Sequence, residues 1–457
     1  MTRINELQTQ IGGRVIRPGD PGYDDDRKLF YGGMDLKPAY IVRVANASDV
    51  ARAIQFARDD GLELAVRSGG HSVVGHSSTD GGVVIDLRDM RSITLEANGR
   101  TAWAETGVTA GEYTLAAHEQ GLATGFGDTG SVGIGGLTLG GGVGYLSREQ
   151  GLTIDNLIAA DVVTADGDLV RASAESHPDL FWAIRGGGGN FGVATRFQFR
   201  LHQVGTVYGG ILILPATAGN IAAFVAASEA APDELSAIGN VMPAPPMPFL
   251  PADQVGNRVI MAMIVFAGPL DAAERAVAPF RSLAEPVADM LRPMPYPEVY
   301  PPEDPSYHPI ASSRTMLIDD LDANTVIEHL DASSAKFQVA QIRILGGAIA
   351  RVPAGATAYA HRSRRIMVNV ACLYDNPEEA ATHDAWAERF LKAMQSGEPA
   401  AAYVNFLSND GPSRIREAYP GDTWDRLCAV KARYDPANVF RLNQNVPPAR
   451  SAAGLGS

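Results

Sequence analysis

A chain of 457 residues is too long for one compact core and reads as two domains. Its formal net charge of −14 and pI near 5.1 argue against nucleic acid or an anionic membrane as partner, since both need a basic footprint, and leave a small-molecule substrate as the expectation. Two distant cysteines, Cys372 and Cys428, give neither a disulfide framework nor a metal cluster, and with no apolar signal region in residues 1–7 and no membrane-length run, a cytoplasmic protein is expected, as monomer or homodimer.

The first 36 residues are polar and turn-rich and read as an irregular arm. Residues 39–44 form a strand, Ser48 caps a helix over 49–58, Gly61 ends it, and a second strand at 64–67 follows. That strand runs into Ser68-Gly69-Gly70-His71-Ser72. Adjacent glycines let several N–H groups converge, which is the geometry of an anion nest, with His71 at its edge as nucleophile or proton carrier. On the turn alone, a histidine that simply satisfies a turn is an equal reading. The 48 glycines cluster at 68–82, 125–144 and 186–192, which argues for backbone lying against a bulky ligand.

Further strands are expected at 83–87 and 101–105, and a helix capped by Thr109 over 110–120. The tract 125–144 holds too much glycine for helix or strand and too much apolar surface for a linker, so it should lie against something flat and partly apolar. Residues 158–164 and 169–172 form a hairpin, 178–184 a short helix, and 193–200 a strand. Gly187, Gly189 and Gly192 have dinucleotide-fingerprint spacing, but here a helix precedes and a strand follows, the reverse of that unit. From 206 to 400 the pattern suggests one sheet with helices on one face: helices at 220–229, 272–283 and 323–333, strands at 259–266 and 337–345. Residues 427–445 should pack back on the first domain.

Several long motifs in fixed order carry a family resemblance. They are Arg67-Ser68-Gly69-Gly70-His71-Ser72, Val132-Gly133 through Leu139-Gly140-Gly141-Gly142-Val143-Gly144-Tyr145, Gly151-Leu152 with Asp155-Asn156-Leu157, and Pro178 through Gly192-Val193. Leu345-Gly346-Gly347-Ala348 and Tyr434-Asp435-Pro436 through Asn443-Gln444-Asn445 complete the set. Together they resemble the FAD-linked oxidases of the vanillyl-alcohol-oxidase (PCMH-type) superfamily, in the berberine-bridge-enzyme-like branch. The resemblance implies an α+β fold: a PCMH-type bipartite FAD-binding domain at 1–205 with its core at 37–205, an α+β substrate domain at 206–400 whose sheet roofs the flavin, and a C-terminal segment at 401–457.

The resemblance also implies covalent FAD, with His71 bonded to the 8α-methyl. Further FAD contacts are implied for Arg67, Ser68, Gly69, Gly70, Ser72, His76, Val132, Gly133, Gly136, Leu137, Gly140, Gly141, Gly142, Gly144, Tyr145, Asn156, Gly192, Val193, Asn443 and Asn445. Thr129 stands where doubly linked relatives carry cysteine, so attachment is single, and Leu137 stands where many relatives have histidine. Val132 matches the position where a small residue leaves room for dioxygen, which favours an oxidase.

A flavin takes hydride at N5 while a neighbouring group takes the substrate proton. Gln341, Arg343 and Leu345 share one face of their strand, which implies that Gln341 and Arg343 reach the substrate, or else lie on a solvent-facing edge. Tyr403 matches the first tyrosine of the family's tyrosine-x-asparagine-tyrosine element, whose second is Phe406 here; it serves as base if Arg343 or the flavin lowers its pKa, and is otherwise a packed aromatic. His308 reads as surface. The function expected is a covalent-FAD oxidase of a small alcohol, amine or phenolic substrate that passes electrons to dioxygen as hydrogen peroxide. A dehydrogenase or oxygenase-like flavoprotein and a catalytically silent flavin binder are the alternatives.

Overall fold

The structure, a computed structural model, describes residues 3–97, 99–395 and 399–449. Residues 450–457 of the expected C-terminal segment and the first two residues of the chain lie outside it. The first layer is a four-stranded sheet in the order Arg14–Ile16, Tyr40–Arg43, Val83–Asp86, Leu64–Arg67. Tyr40–Arg43 and Leu64–Arg67 flank Val83–Asp86 in parallel, and every residue of that central strand is buried. The helix Ala47–Asp59 makes the crossover and packs Val50, Ala53, Ile54 and Ala57 inward.

The N-terminal arm is more ordered than its composition suggests. Arg3–Gln10 is a helix that buries Ile4 and Leu7, and Arg14–Ile16 pairs antiparallel with Tyr40–Arg43. Asp49 explains the anchoring: its buried carboxylate accepts the N–H groups of Gly12, Gly13 and Ala45, each at 3.0 Å. The cap of the crossover helix is Asn46, whose side chain accepts Asp49 N–H, and not Ser48, because the helix begins one residue before that serine.

A five-stranded antiparallel sheet follows in the order Ile93–Leu95, Thr101–Glu105, Val193–Arg200, Leu157–Val163, Leu169–Ser173. The helix Ala110–His118 covers it, opened by a capping box in which Thr109 and Glu112 bond reciprocally. Tyr113, Phe126 and Phe199 meet edge to face beneath that helix.

The long glycine tract departs from expectation, for Ile134–Gly140 is an α-helix. Here glycine is required by close approach. A Cβ at Gly133 would lie 2.2 Å from Gly69 N, and one at Gly69 would lie 2.3 Å from Gly133 N. The start of this helix therefore rests directly on the histidine turn, backbone to backbone. Alanine at either position should lower stability by about 1–3 kcal/mol, read as a lower melting temperature.

The third sheet is antiparallel in the order Ala288–Asp289, Thr206–Pro215, Arg258–Phe266, Leu235–Pro243, Phe337–Ile344, Ile366–Tyr374, Ile310–Ile318. The helices Ala218–Ala230, Leu270–Arg281, Ala323–Asp331 and Ala380–Met394 bury one face of it through Phe224, Val277, Val326 and Phe390. Its other face meets the glycine tract, where Leu345 and Met367 share a cluster with Val143 and Leu152. The final helix Asp422–Tyr434 returns to the first part of the chain, and Lys431 donates to Asn190 O at 2.7 Å. No helix of the described residues is long and apolar enough to cross a membrane.

Candidate functional site

The strand Leu64–Arg67 delivers the histidine turn to the junction of the three sheets. Ser68 Oγ donates to Thr106 O at 2.5 Å and accepts Gly135 N–H at 3.2 Å, which ties the turn to the glycine helix. Gly70 turns at φ +76°, a conformation glycine adopts without strain. Arg67 points back into the protein: Nε donates to Ser77 O and Nη1 to Asp26 O, and burial lowers the guanidinium to about 10. These bonds brace the turn, and Arg67 Nη2 stays buried without a partner.

His71 stacks on Phe30 with ring centroids 4.1 Å apart, and its Nε2 lies 3.0 Å from Ser131 Oγ. Burial pushes its imidazole down to about 4, so the ring is neutral and keeps a lone pair at pH 7.

The opposing wall comes from Phe337–Ile344. Alternation holds as the sequence suggests: Ala340, Ile342 and Ile344 face the helices, while Gln341 and Arg343 face the glycine tract. Arg343 is almost fully buried. It donates to Asp128 Oδ2 at 2.7 Å, to Gln341 Oε1 at 2.6 Å and to Val143 O at 3.1 Å, and its guanidinium lies over Phe406. Gln341 donates to Asn240 Oδ1 at 3.0 Å. Among the described residues, Asp128 keeps one carboxylate oxygen without a hydrogen bond.

Tyr403 is buried with its hydroxyl against the glycine tract. The oxygen accepts Gly142 N–H at 2.8 Å and Asn405 Nδ2–H at 3.0 Å, yet burial outweighs both, and the hydroxyl is pushed up from its ordinary value. It braces the glycine tract, where Gly141 at φ +145° brings its backbone against the tyrosine ring. Tyr145 is buried beside Tyr300, which donates to Gly127 O at 3.1 Å.

Other expected flavin contacts divide into two groups. Asn156 donates to Gln150 O and Leu152 O and bonds His202 through Oδ1, so its side chain is committed within the protein. Gly192 and Val193 pack on Val163 and open a sheet strand. Gly144 presses on Phe126 O, Ser72 Oγ accepts His76 N–H, and Val132 O accepts Ala110 N–H. By contrast, Asn443 and Asn445 each leave a buried Oδ1 without a partner, as do the Ser77 and Ser78 hydroxyls beyond the turn. A Cβ at Gly136 would meet no atom within 4 Å, and Leu137 O accepts Asn405 Nδ2–H. Unpartnered buried acceptors beside a bare glycine backbone fit a large ligand rich in hydroxyl and N–H groups, which FAD is.

Sequence reasoning missed Asp128, the lone carboxylate in an apolar glycine tract, and that isolation was its one available signal. It also missed Phe30, Ser131 and Glu303 around His71. His76 and His361 are pushed down to about 4 by burial. Unfolded histidine titrates near 6.5, so between those values the unfolded chain binds protons that the folded chain does not. Stability should fall as pH drops from about 6.5 to about 4, by up to about 1.4 kcal/mol per pH unit for each histidine. Denaturant midpoints across that window measure the slope, which should shrink in His361→Gln.

A glycine-lined cradle joined to a sheet that roofs it defines a flavin-dependent oxidoreductase, and sequence comparison agrees. The FAD binding domain family matches residues 38–173, and the family described as berberine and berberine like matches residues 402–447. The chain is 31% identical to (R)-6-hydroxynicotine oxidase of Paenarthrobacter nicotinovorans over 96% of its own length and 97% of that protein's. It is 29% identical to a xylooligosaccharide oxidase of Thermothelomyces thermophilus, covering 93% of this chain and 90% of that one. Among solved structures, 6-hydroxy-D-nicotine oxidase of Arthrobacter nicotinovorans superposes with a TM-score of 0.84 at 30% identity, covering 96% of this chain and 99% of the other. The Physcomitrella patens berberine-bridge-enzyme-like protein 1 does so with a TM-score of 0.88 at 25% identity, covering 99% and 100%. The chain belongs to the berberine-bridge-enzyme-like family of FAD-linked oxidoreductases.

Proposed function

We propose that the protein is a covalent-FAD oxidase, attached singly through His71, acting on a small alcohol, amine or phenolic substrate. When bound, FAD would supply a hydride acceptor at N5 whose electrons go to dioxygen as hydrogen peroxide. The observation that carries the reading is one short stretch of the glycine tract that touches two kinds of group. Ser131 Oγ lies 3.0 Å from Nε2 of neutral His71, and Asp128, three residues earlier, accepts from Arg343 at 2.7 Å. The tether and the polar cluster Asp128–Arg343–Gln341 thus meet the same stretch.

Within it, Asp128 receives the substrate proton through its free carboxylate oxygen. Arg343 and Gln341 orient that carboxylate, and Tyr403 acts as a structural brace. The first domain holds the cofactor, the second shapes the substrate pocket, and the C-terminal segment closes over the first through its described residues 401–449. One relative is named for an amine-containing nicotine derivative and another for a sugar, so the substrate classes to test include alkaloid amines, aromatic alcohols, polyketide alcohols and sugars. An anaerobic screen should find a compound that bleaches the flavin, with rapid return of colour and peroxide on admitting air. Slow return of colour would favour a dehydrogenase, and no bleaching by any class a silent flavin binder.

A further inference from the structure

We propose that Ser131 and Glu303 are positioning residues for cofactor attachment: they hold the proton of His71 on Nε2, so that the bond to FAD forms through Nδ1. This rests on the covalent reading above.

The inference follows from donor and acceptor inventory. Glu303 grips Ser131 twice, Oε1 accepting its backbone N–H at 3.0 Å and Oε2 accepting its hydroxyl at 2.5 Å. A carboxylate only accepts, so the single hydroxyl hydrogen of Ser131 is committed to Glu303. What Ser131 offers His71 Nε2 at 3.0 Å is therefore a lone pair, and Nε2 must carry the hydrogen. The opposite arrangement, with the hydroxyl donating to Nε2, would set oxygen lone pairs of Ser131 and Glu303 against each other at 2.5 Å. Neutral imidazole has one N–H, so the nucleophilic lone pair lies on Nδ1, which takes no hydrogen bond from the described residues. Phe30, stacked at an interplanar angle of 20°, fixes the ring plane.

The same chain removes a proton. The Nδ1–C8α bond forms and one C–H bond of the methyl group breaks, its proton leaving to solvent. The Nε2 proton passes to Ser131 as the Ser131 proton passes to Glu303, which leaves the alkylated imidazole neutral. The electron pair passes by way of the flavin ring to dioxygen, the oxidant of the proposed reaction, and the two released protons balance those taken up in hydrogen peroxide. Glu303 reaches Ser131 from residues 301–309, a loop that also pairs with the Phe30 segment through Gly32 N–H to Pro309 O at 2.9 Å. The relay is thereby assembled by the two parts of the chain that meet around the flavin edge.

The test compares wild type with Glu303→Gln, Ser131→Ala and Ser131→Thr, each incubated with FAD in air and sampled for flavin that stays with acid-precipitated polypeptide. Digested wild type is chromatographed against synthetic Nδ1- and Nε2-linked histidylriboflavin. The expected results are the Nδ1 isomer in wild type, attachment roughly 10–100-fold slower in Glu303→Gln and Ser131→Ala, and most of the rate restored in Ser131→Thr. Dissociable yellow flavin comigrating with each slow variant on gel filtration shows that it is folded. An Nε2 isomer, or wild-type rates in both slow variants, overturns the relay and leaves covalent attachment standing. Complete flavin release from wild type on acid precipitation overturns both.

Discussion

Asp128→Asn is expected to slow substrate-driven flavin reduction by about 10²–10⁴-fold while the flavin content of the purified protein stays unchanged. An amide oxygen accepts a hydrogen bond but does not take a proton at neutral pH. The tyrosine that matches the family's element is a poor substitute, because Tyr403 is pushed up by burial and its oxygen already accepts two N–H groups. Asp128 alternatively matters only as the counter-ion of buried Arg343, 2.7 Å away, and the two roles separate in measurement. Loss of a proton acceptor slows flavin reduction at saturating substrate and leaves substrate binding and the melting temperature close to wild type. Loss of a counter-ion disturbs Arg343, weakens substrate binding and lowers the melting temperature. Arg343→Gln provides the reference for that second pattern. A wild-type rate of anaerobic bleaching in Asp128→Asn would rule out the proton-acceptor role.

The difference between what could and could not be read from the sequence is mainly one of range. The facing of Gln341 and Arg343 was legible because strand alternation is local: placing Ala340 and Ile342 against helices turns these two toward the glycine tract. Asp128 was not legible, because what makes it notable is Arg343, 215 positions away. The Ser131–Glu303 contact spans 172 positions and has no local signature. The glycine tract misled in a different manner. Propensity counts each glycine against a helix, but Ile134–Gly140 is stabilised by how closely other parts of the chain approach, and Gly140 lies where any Cβ would strike Asn405. The N-terminal arm hid its order because two buried apolar residues, Ile4 and Leu7, are too few for a periodic pattern, and its anchor is one carboxylate in another helix.

Lys431→Met is expected to cost about 3–5 kcal/mol of unfolding free energy and to loosen FAD. Lys431 and Asp435 are both fully buried, 2.6 Å apart, one helical turn from each other. The ammonium donates to Asp435 Oδ2, Asn190 O and Phe440 O, so all three of its hydrogens are used. Asp435 in turn accepts Val439 N–H and Phe440 N–H. This one pair therefore closes the end of the last helix onto the glycine run that holds Asn190 and starts the tail that carries Asn443 and Asn445. Methionine fills the space but leaves Asp435 charged without its cation and two carbonyl oxygens without a donor. Asp435→Asn should cost less, because the amide can still accept an N–H while Lys431 keeps two carbonyl partners. If the tail supplies the unpartnered Asn443 and Asn445 oxygens to FAD, loss of the lysine should slow flavin uptake before it unfolds the chain. Denaturant titration followed by flavin fluorescence and by circular dichroism separates the two events: exposure of the tethered flavin to solvent should precede loss of secondary structure in Lys431→Met and coincide with it in a core substitution such as Phe224→Leu, which lies among the helices on the far face of the third sheet. Coincident transitions in Lys431→Met would show that the buried pair stabilises the fold without a specific hold on the cofactor.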